Sequence, residues 1–298
     1  MKFIIYGHNG WIGQMMCAIL EKEGIDFVGS KCRANNIKDL EKELQEVSPT
    51  HIMSFIGRTH GTTEDGKVYT TIDYLEQKGK LFENVRDNLF SPMCLALLAQ
   101  KNNIHFTYLG TGCIFEYDDD VHKFENDESG FTEEDNPNFF GSSYSIVKGF
   151  TDQLMYLCSE NTLNLRIRMP IIDKKEPRNF ISKITTYERV CSVANSMSVL
   201  DDLLPIALDL AINKKTGTLN FTNKGLITHN EILEMYREII DPNFTWKNFT
   251  IEEQANILAA GRSNNCLDTN KLSELYPELK HIKDSVKDTL IRMKNNSN

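Results

Sequence analysis

Nowhere in this chain do lysine and arginine gather into a basic run, and the formal net charge is −9. Nucleic acid and an acidic membrane surface are poor partners for such a chain, so an anionic ligand has to be held by a local cluster of donors. No apolar stretch approaches the length of a membrane span, and no signal peptide stands ahead of the first strand pattern. The seven cysteines contain no CxxC pair. An odd, scattered set argues against a disulfide framework or a zinc site and for a reducing compartment, so a cytoplasmic protein without a metal is expected. There is no internal repeat. The remaining composition, 40% hydrophobic and 25% charged over 298 residues, is that of a globular protein with one large domain or two closely joined ones.

The most informative stretch is Lys2 to Gly13, KFIIYGHNGWIG. Phe3-Ile4-Ile5-Tyr6 reads as a buried parallel strand. Gly7, Gly10 and Gly13 follow at G-x-x-G-x-x-G spacing, and Ile12, Met15, Met16, Ile19 and Leu20 then mark one side of a helix. Strand, glycine turn and helix form the context of a dinucleotide site: the glycines permit a tight turn and close approach to a pyrophosphate, and the helix N-terminus holds the anion. Gly7, Asn9, Gly10, Trp11, Ile12 and Gly13 are the candidate contacts. A second strand ends at Gly29, where an NAD-specific site carries an acid. Here Lys31 and Arg33 follow instead, which favours a 2′-phosphate and so NADPH over NADH.

Further along, Ile37–Val47 reads as an amphipathic helix, His51–Phe55 as a third strand and Arg58–Gly79 as a long loop without structure, from which Arg58, His60 and Lys67 could reach a substrate, although each one by itself reads more readily as a surface residue. Leu81–Gln100 reads as one long helix with an apolar face of Val85, Leu89, Met93, Leu97 and Leu98. His105–Leu109 is a fourth strand running into Gly110-Thr111-Gly112-Cys113. The acidic stretch 116–140, with Asp118-Asp119-Asp120 and Glu133-Glu134-Asp135, reads as solvated surface. A fifth strand, Leu163–Met169, ends at Pro170. After it come helices at Leu200–Ile212, Asn230–Ile240 and Ile251–Ala260, a strand at Thr218–Thr222, a final helix pair and a frayed tail, Lys294 to Asn298. The expected fold is a Rossmann-like, doubly wound α/β sheet in residues 1–169 with a smaller, mostly helical substrate lobe in residues 170–298, their boundary interleaved.

Tyr144 and Lys148, four apart, share one helical face. An ammonium beside a phenol favours the phenolate, and such a tyrosine can pass a proton to a carbonyl oxygen while a hydride reaches its carbon. Thr111, at a strand end, can hydrogen-bond the same oxygen. This combination resembles the extended short-chain dehydrogenase/reductase superfamily over nearly the whole chain: Gly7, Gly10 and Gly13 match its fingerprint, Thr111, Tyr144 and Lys148 its catalytic triad, and Asn88 its structural and relay asparagine. RSNNCLDTNKL is similar to a late motif of the 4-keto-rhamnose reductases. TGCIFEYD, PNFFGSSYSIVK, RIRMP, PRNFISKI and NSMSVLDDLLPI more closely resemble the bifunctional nucleotide-rhamnose epimerase-reductases of plants.

That resemblance implies a UDP- or dTDP-4-keto-6-deoxy-glucose substrate, with the plant-like motifs favouring UDP. The sequence leaves the oligomeric state open, a homodimer being one candidate. Cys113 before Ile-Phe is similar to GDP-fucose synthase, which pairs a Cys with a His in proton transfer; no His matches here, and Lys183 fits the Lys of the plant enzymes. Cys113 and Lys183 are therefore the implied epimerisation pair. Tyr144, Lys148 and Pro170 are implied at the cofactor, and Asn88, Thr111, Asn179, Arg262 and Asn265 at the substrate. Two rivals stand beside this reading: a 4-keto reductase served by a separate epimerase, and a non-catalytic NADP-binding regulatory subunit, against which the intact Thr111, Tyr144 and Lys148 argue.

Overall fold

The structure, a computed structural model, describes residues 1–118, 121–123 and 129–296. Asp119 and Asp120 of the acidic triplet lie outside these residues, as do Ser297 and Asn298 of the tail. In chain order the elements are β1 (Phe3–Tyr6), α1 (Trp11–Lys22), β2 (Phe27–Gly29), α2 (Ile37–Val47), β3 (His51–Ser54), β4 (Gly61–Thr62), β5 (Val68–Tyr69), α3 (Leu81–Val85), α4 (Ser91–Lys101), β6 (His105–Thr111), α5 (Ser143–Tyr156) and β7 (Thr162–Ile167). They continue as α6 (Phe180–Ile184), β8 (Arg189–Val190), α7 (Leu200–Ile212), β9 (Gly217–Asn220), α8 (His229–Ile239), β10 (Lys247–Asn248), α9 (Ile251–Ile257), α10 (Asn270–Leu275) and α11 (Ile282–Asn296). Lys294, Asn295 and Asn296, expected to fray, thus continue the last helix.

The chain sorts into two interleaved compact units. The first holds Met1–Thr111, Ser142–Arg166 and Leu204–Leu219; the second holds Gly112–Gly141, Ile167–Leu203 and Asn220–Asn298. The main sheet is six-stranded, in the order β2-β1-β3-β6-β7-β9. β1 pairs in parallel with both β2 and β3, and β3 with β6. Short strands of Ile, Phe, Tyr and Val joined through helices favour this arrangement, because both faces are then covered. The chain leaves β1 for β2 on one side and returns to β3 on the other, so the ends of β1 and β3 flank the switch point at which open α/β sheets bind ligands. β9, grouped in sequence with the later lobe, is the edge strand of this sheet.

Strand alternation sends Ile4, Tyr6, Ile52, Phe106 and Tyr108 into one core with Leu40 and Leu44 of α2, Leu95 and Leu98 of α4 and Met155 of α5. The expected long helix runs continuously from Leu81 to Lys101, with a π-helical turn, Arg86–Phe90, inside it between α3 and α4. The extra residue in that turn shifts the phase of everything before it. Val85 and Leu97, assigned to the apolar face, are exposed, and Asn84 and Asn88 are buried in their stead. The expected loop 58–79 is partly ordered, since β4 and β5 form an antiparallel pair and a 3-10 turn spans Ile72–Glu76.

In the second unit β8 pairs with β10, and Ile181 and Ile184 of α6, Ile232 and Leu233 of α8, and Val286 and Leu290 of α11 share a core. Glu133, read as solvated, is buried: it accepts from the Asn220 backbone at 3.0 Å and pairs with Lys271 at 3.4 Å. Among the described residues no helix is long and apolar enough to cross a membrane. Nor, among them, does any group of three or more His, Cys, Asp or Glu side chains have a geometry that could hold a metal ion.

Candidate active site

The turn after β1 is built for close approach. Gly7 has φ +82°, and a Cβ there would come within 3.0 Å of the Phe55 backbone at the end of β3. A Cβ on Gly13 would stand 2.1 Å from the Gly7 carbonyl oxygen, so any side chain would push the helix off the turn. Gly10 caps α1 with no side-chain hydrogen bond, leaving the helix start to face an anion with its backbone N–H groups. Asn9 is exposed, and Trp11 and Ile12 are half-buried in the first turn. Lys31 and Arg33 are exposed on the segment after β2. That segment is fastened by Glu43 of α2, a buried carboxylate that accepts from Ser30 Oγ at 2.7 Å, the Lys31 backbone at 2.7 Å and Tyr6 Oη at 2.9 Å. Burial and the Glu43 charge push the Tyr6 phenol far up.

The residues of the first unit expected to transfer a proton lie at the end of β6 and along α5. Ser142 caps α5 by accepting from the Ser145 backbone, which starts the helix with Tyr144 in its first turn. Lys148 follows one turn later, is 4% exposed, and donates to the hydroxyl of Tyr108 on β6. Thr151, a further turn along, donates to the Asn88 carbonyl at 2.7 Å. Asp152 makes a buried ion pair with Arg166 on β7 at 2.6 Å. Thr111, the last residue of β6, is buried. Asn88 itself is 1% exposed; its amide accepts from the Arg58 backbone and donates to Arg58 O and Asn84 Oδ1, each at 2.8 Å. Arg58 is further held by Asp87 at 3.0 Å, Lys67 is exposed on β4–β5 connecting chain, and His60 is half-buried.

In the second unit Cys113, half-buried, directly follows a peptide gripped from two sides. The Gly112 carbonyl accepts from Arg168 Nη1 and from Asn265 Nδ2, each at 3.0 Å, and its N–H donates to Ile167 O at 3.0 Å. Arg168 is 1% exposed and is held by neutral acceptors: Ser196 O, Ser263 Oγ, Ser263 O and Asn195 Oδ1 besides Gly112 O. Burial lowers its guanidinium below the ordinary value. Lys183 sits in α6, and desolvation pushes its ammonium down, helped by the charges of Arg262 and Arg178 and opposed by Glu176. Asn179 caps α6, accepts from Ile181 N and Ile172 N at 3.3 Å and donates to Ile172 O and Lys174 O. Pro170 accepts from the Phe180 backbone at 3.0 Å. Arg262 donates to Ala260 O at 2.7 Å.

Asn88, Asn179 and Asn265, expected at the substrate, are at most 1% exposed. The Asn88 amide fastens the Arg58 segment, Asn179 caps α6, and Asn265 donates to Gly112 O, Phe115 O and Ser263 Oγ. The structure joins Lys148 to Asn88 through α5, and it places Lys183 in the field of Arg262. Tyr108, Arg168 and Glu43 were missed. For Arg168 a signal existed, a charged residue inside a strand-like run, since such residues are fully buried only with satisfied partners.

No family model matches the chain. It is 54% identical over 294 residues to the L780 protein of Acanthamoeba polyphaga mimivirus, covering 99% of both chains. The crystal structure of the L780 UDP-rhamnose synthase matches with a TM-score of 0.93 over 98% of this chain and 99% of that one. A bifunctional dTDP-4-dehydrorhamnose 3,5-epimerase/dTDP-4-dehydrorhamnose reductase of Arabidopsis thaliana is 43% identical over 286 residues, 96% of this chain and 91% of that one. The chain spans only 41% of an Arabidopsis thaliana trifunctional UDP-glucose 4,6-dehydratase/3,5-epimerase/reductase, to which it is 42% identical over 287 residues.

Proposed function

Because the chain belongs to the family of nucleotide-rhamnose 3,5-epimerase/4-keto reductases, within the extended short-chain dehydrogenase/reductases, we propose that it converts UDP-4-keto-6-deoxy-D-glucose to UDP-L-rhamnose. The observation that carries this reading is the joint presence of a Tyr144–Lys148 pair on α5 and a desolvated Lys183 after Cys113, in a chain aligned with bifunctional enzymes along 96% or more of its length. The chain spans 41% of the trifunctional relative that also carries a 4,6-dehydratase, and the 4-keto sugar is taken as supplied by another enzyme or another part of the protein.

The chemistry follows from the ketone. A carbonyl at C4 acidifies the hydrogens on C3 and C5, and inversion needs a base on one face and an acid on the other, each with a pKa near the working pH. Desolvation moves Lys183 in that direction, and Cys113 is assigned as its partner, following a peptide that is clamped from two sides. Reduction at C4 uses Tyr144 as proton donor to O4, with Lys148 favouring the phenolate left behind and Thr111 hydrogen-bonding the same oxygen. The glycine turn would hold NADPH, which would supply the hydride, and Lys31 and Arg33 would hold its 2′-phosphate. The uncapped α1 start and the space reserved by Gly7 and Gly13 fit its pyrophosphate.

The seven free cysteines favour a reducing, cytoplasmic setting. Exposed Phe82, Phe90, Leu97 and Phe150 on α3 to α5 support a homodimer through that face. The test of function is incubation with NADPH and either UDP- or dTDP-4-keto-6-deoxy-glucose, followed by NMR of the product sugar. L-rhamnose from the UDP substrate is the expected result. A 6-deoxy-D-sugar as the sole product would leave a reductase without epimerase activity, and no turnover at all would leave the regulatory-subunit reading.

A further inference from the structure

We propose that Tyr108 is a positioning residue for reduction: a buried tyrosine whose hydroxyl holds the Lys148 ammonium while leaving its charge to act on Tyr144. This rests on the reductase reading above. Tyr108 lies in β6, three residues before Thr111, and is 1% exposed. Its hydroxyl accepts from Lys148 Nζ. Two phenols thus share the surroundings of one ammonium, and the question is which of them gives up a proton.

Burial answers it. Tyr108 packs within 6.4 Å of Phe106, centroid to centroid, in the core beneath α2, α4 and α5. The charged groups that act on it are Tyr144 and Asp152 on α5, besides Lys148 itself, and both of the former oppose its ionisation. Desolvation, the largest cause, together with them drives its phenol well above the ordinary value. Asp152 is committed to Arg166 on the neighbouring β7, with Nε and Nη2 donating at 3.0 and 2.6 Å. Tyr144, by contrast, is half-exposed in the first turn of α5. The two tyrosines therefore sit in different surroundings: Tyr108 is held as a phenol in the core, and Tyr144 keeps contact with solvent. Divergent environments around paired titratable groups are how acid and spectator roles are assigned.

The consequence for Lys148 is geometric and electrostatic at once. A carboxylate at position 108 would hold the ammonium but neutralise it. A phenylalanine would leave a buried N–H donor without this acceptor and let the long side chain sample other rotamers. A neutral oxygen in a rigid ring fixes Nζ at no cost in charge, and the fixed charge is then available to the phenolate that forms when Tyr144 protonates O4.

The test uses the full-length enzyme, NADPH and the 4-keto sugar. Tyr108→Phe should lower kcat for NADPH oxidation about tenfold with little change in KM for the sugar, and should move the alkaline limb of the kcat profile upward by about half a pH unit or more, because the phenolate is less well stabilised. Tyr108→Gln, which restores a neutral oxygen, should recover part of kcat and bring the limb back. A loss of kcat without movement of the limb would show a purely structural role and overturn the proposal, as would native kinetics in Tyr108→Phe. The wild-type enzyme gives an independent check that needs no stable variant. With tyrosines labelled at the ζ carbon, the Tyr108 resonance should stay at its neutral position across the pH range in which the Tyr144 resonance, identified by its loss in Tyr144→Phe, titrates. Titration of Tyr108 in that range would overturn the assignment. If the wild-type enzyme fails to oxidise NADPH with the sugar, the reductase reading fails first, whatever the tyrosine spectrum shows.

Discussion

Lys183 is the residue at which burial and chemistry meet most directly. Its ammonium is lowered by desolvation first and by the neighbouring charges of Arg262 and Arg178 second, so the neutral amine needed by a base is reached closer to the working pH than on an exposed lysine. Charge alone cannot substitute for that property. Lys183→Arg keeps the cation but cannot release a proton, and it should lose C3 and C5 deuterium exchange of the 4-keto sugar as fully as Lys183→Ala, by roughly 10²-fold or more. Exchange retained in Lys183→Arg, followed by NMR in heavy water, would reduce Lys183 to a binding charge. At the cofactor end, Arg33→Ala should raise the NADPH dissociation constant about tenfold and leave NADH nearly unchanged, the loss of one charge-assisted hydrogen bond; equal losses for both cofactors in a fluorescence titration would show that Arg33 does not read the 2′-phosphate. The pairing of Tyr144 with Lys148 and the absence of an acid after β2 were legible from residue types and spacing. Tyr108 was not, because a tyrosine in an apolar strand is indistinguishable from core until its hydroxyl is seen to meet an ammonium.

Elements were legible where a local pattern decides them and illegible where neighbours do. β1, the glycine turn and α1 follow from sequence because Gly10 and Gly13 answer steric demands from Gly7 within the same few residues, and Gly7 itself has φ +82°. The π turn between α3 and α4 does not, since it is an inserted residue rather than a composition, and it is Asn88, anchored to Arg58 across the loop, that occupies it. The N-terminal ends of β3 and β6 carry a different consequence. His51 is stacked on Phe3 at 4.6 Å and lies 5.6 Å from His105, centroid to centroid. Desolvation, with lesser contributions from His105 and Lys214, lowers His51 to about 4, and desolvation lowers His105 as well. Both are neutral in the fold and gain protons on unfolding. Their contribution is therefore complete above the unfolded-state value near 6.5 and is lost as pH falls toward about 4. Between pH 7 and 5 His51 accounts for at most roughly 2 kcal/mol of that loss. His51→Gln should flatten the fall in thermal stability over this interval, measured by scanning calorimetry at both pH values; an unchanged slope would place the acid sensitivity elsewhere.

For the molecule as a whole, the interleaving of the two units is what sequence order could not reveal: the chain passes from the first unit to the second between Thr111 and Gly112, returns at Ser142 and crosses again after Arg166. The two chemistries divide along the same lines. Tyr144, Lys148 and Thr111 belong to the first unit, and Cys113 and Lys183 to the second. Proton exchange at C3 and C5 does not require the hydride, and protonation of O4 does not require the exchange, so variants in one unit should spare the other step. Without NADPH, Tyr144→Phe should retain much of the deuterium exchange while losing NADPH oxidation by orders of magnitude. Cys113→Ser should lose exchange at one or both carbons by roughly 10²-fold, yet reduce a 4-keto-L-rhamnose nucleotide prepared beforehand at close to the native rate. Cys113→Ser should still bind NADPH, because Cys113 lies outside the cofactor contacts, and Tyr144→Phe should also bind it, because the ring stays and only the hydroxyl is lost. Normal exchange in both Cys113→Ser and Lys183→Ala would remove the epimerase half of the function and leave a reductase. Loss of both activities in every variant would mean that the two steps share one set of groups, and that the division between units has no chemical counterpart.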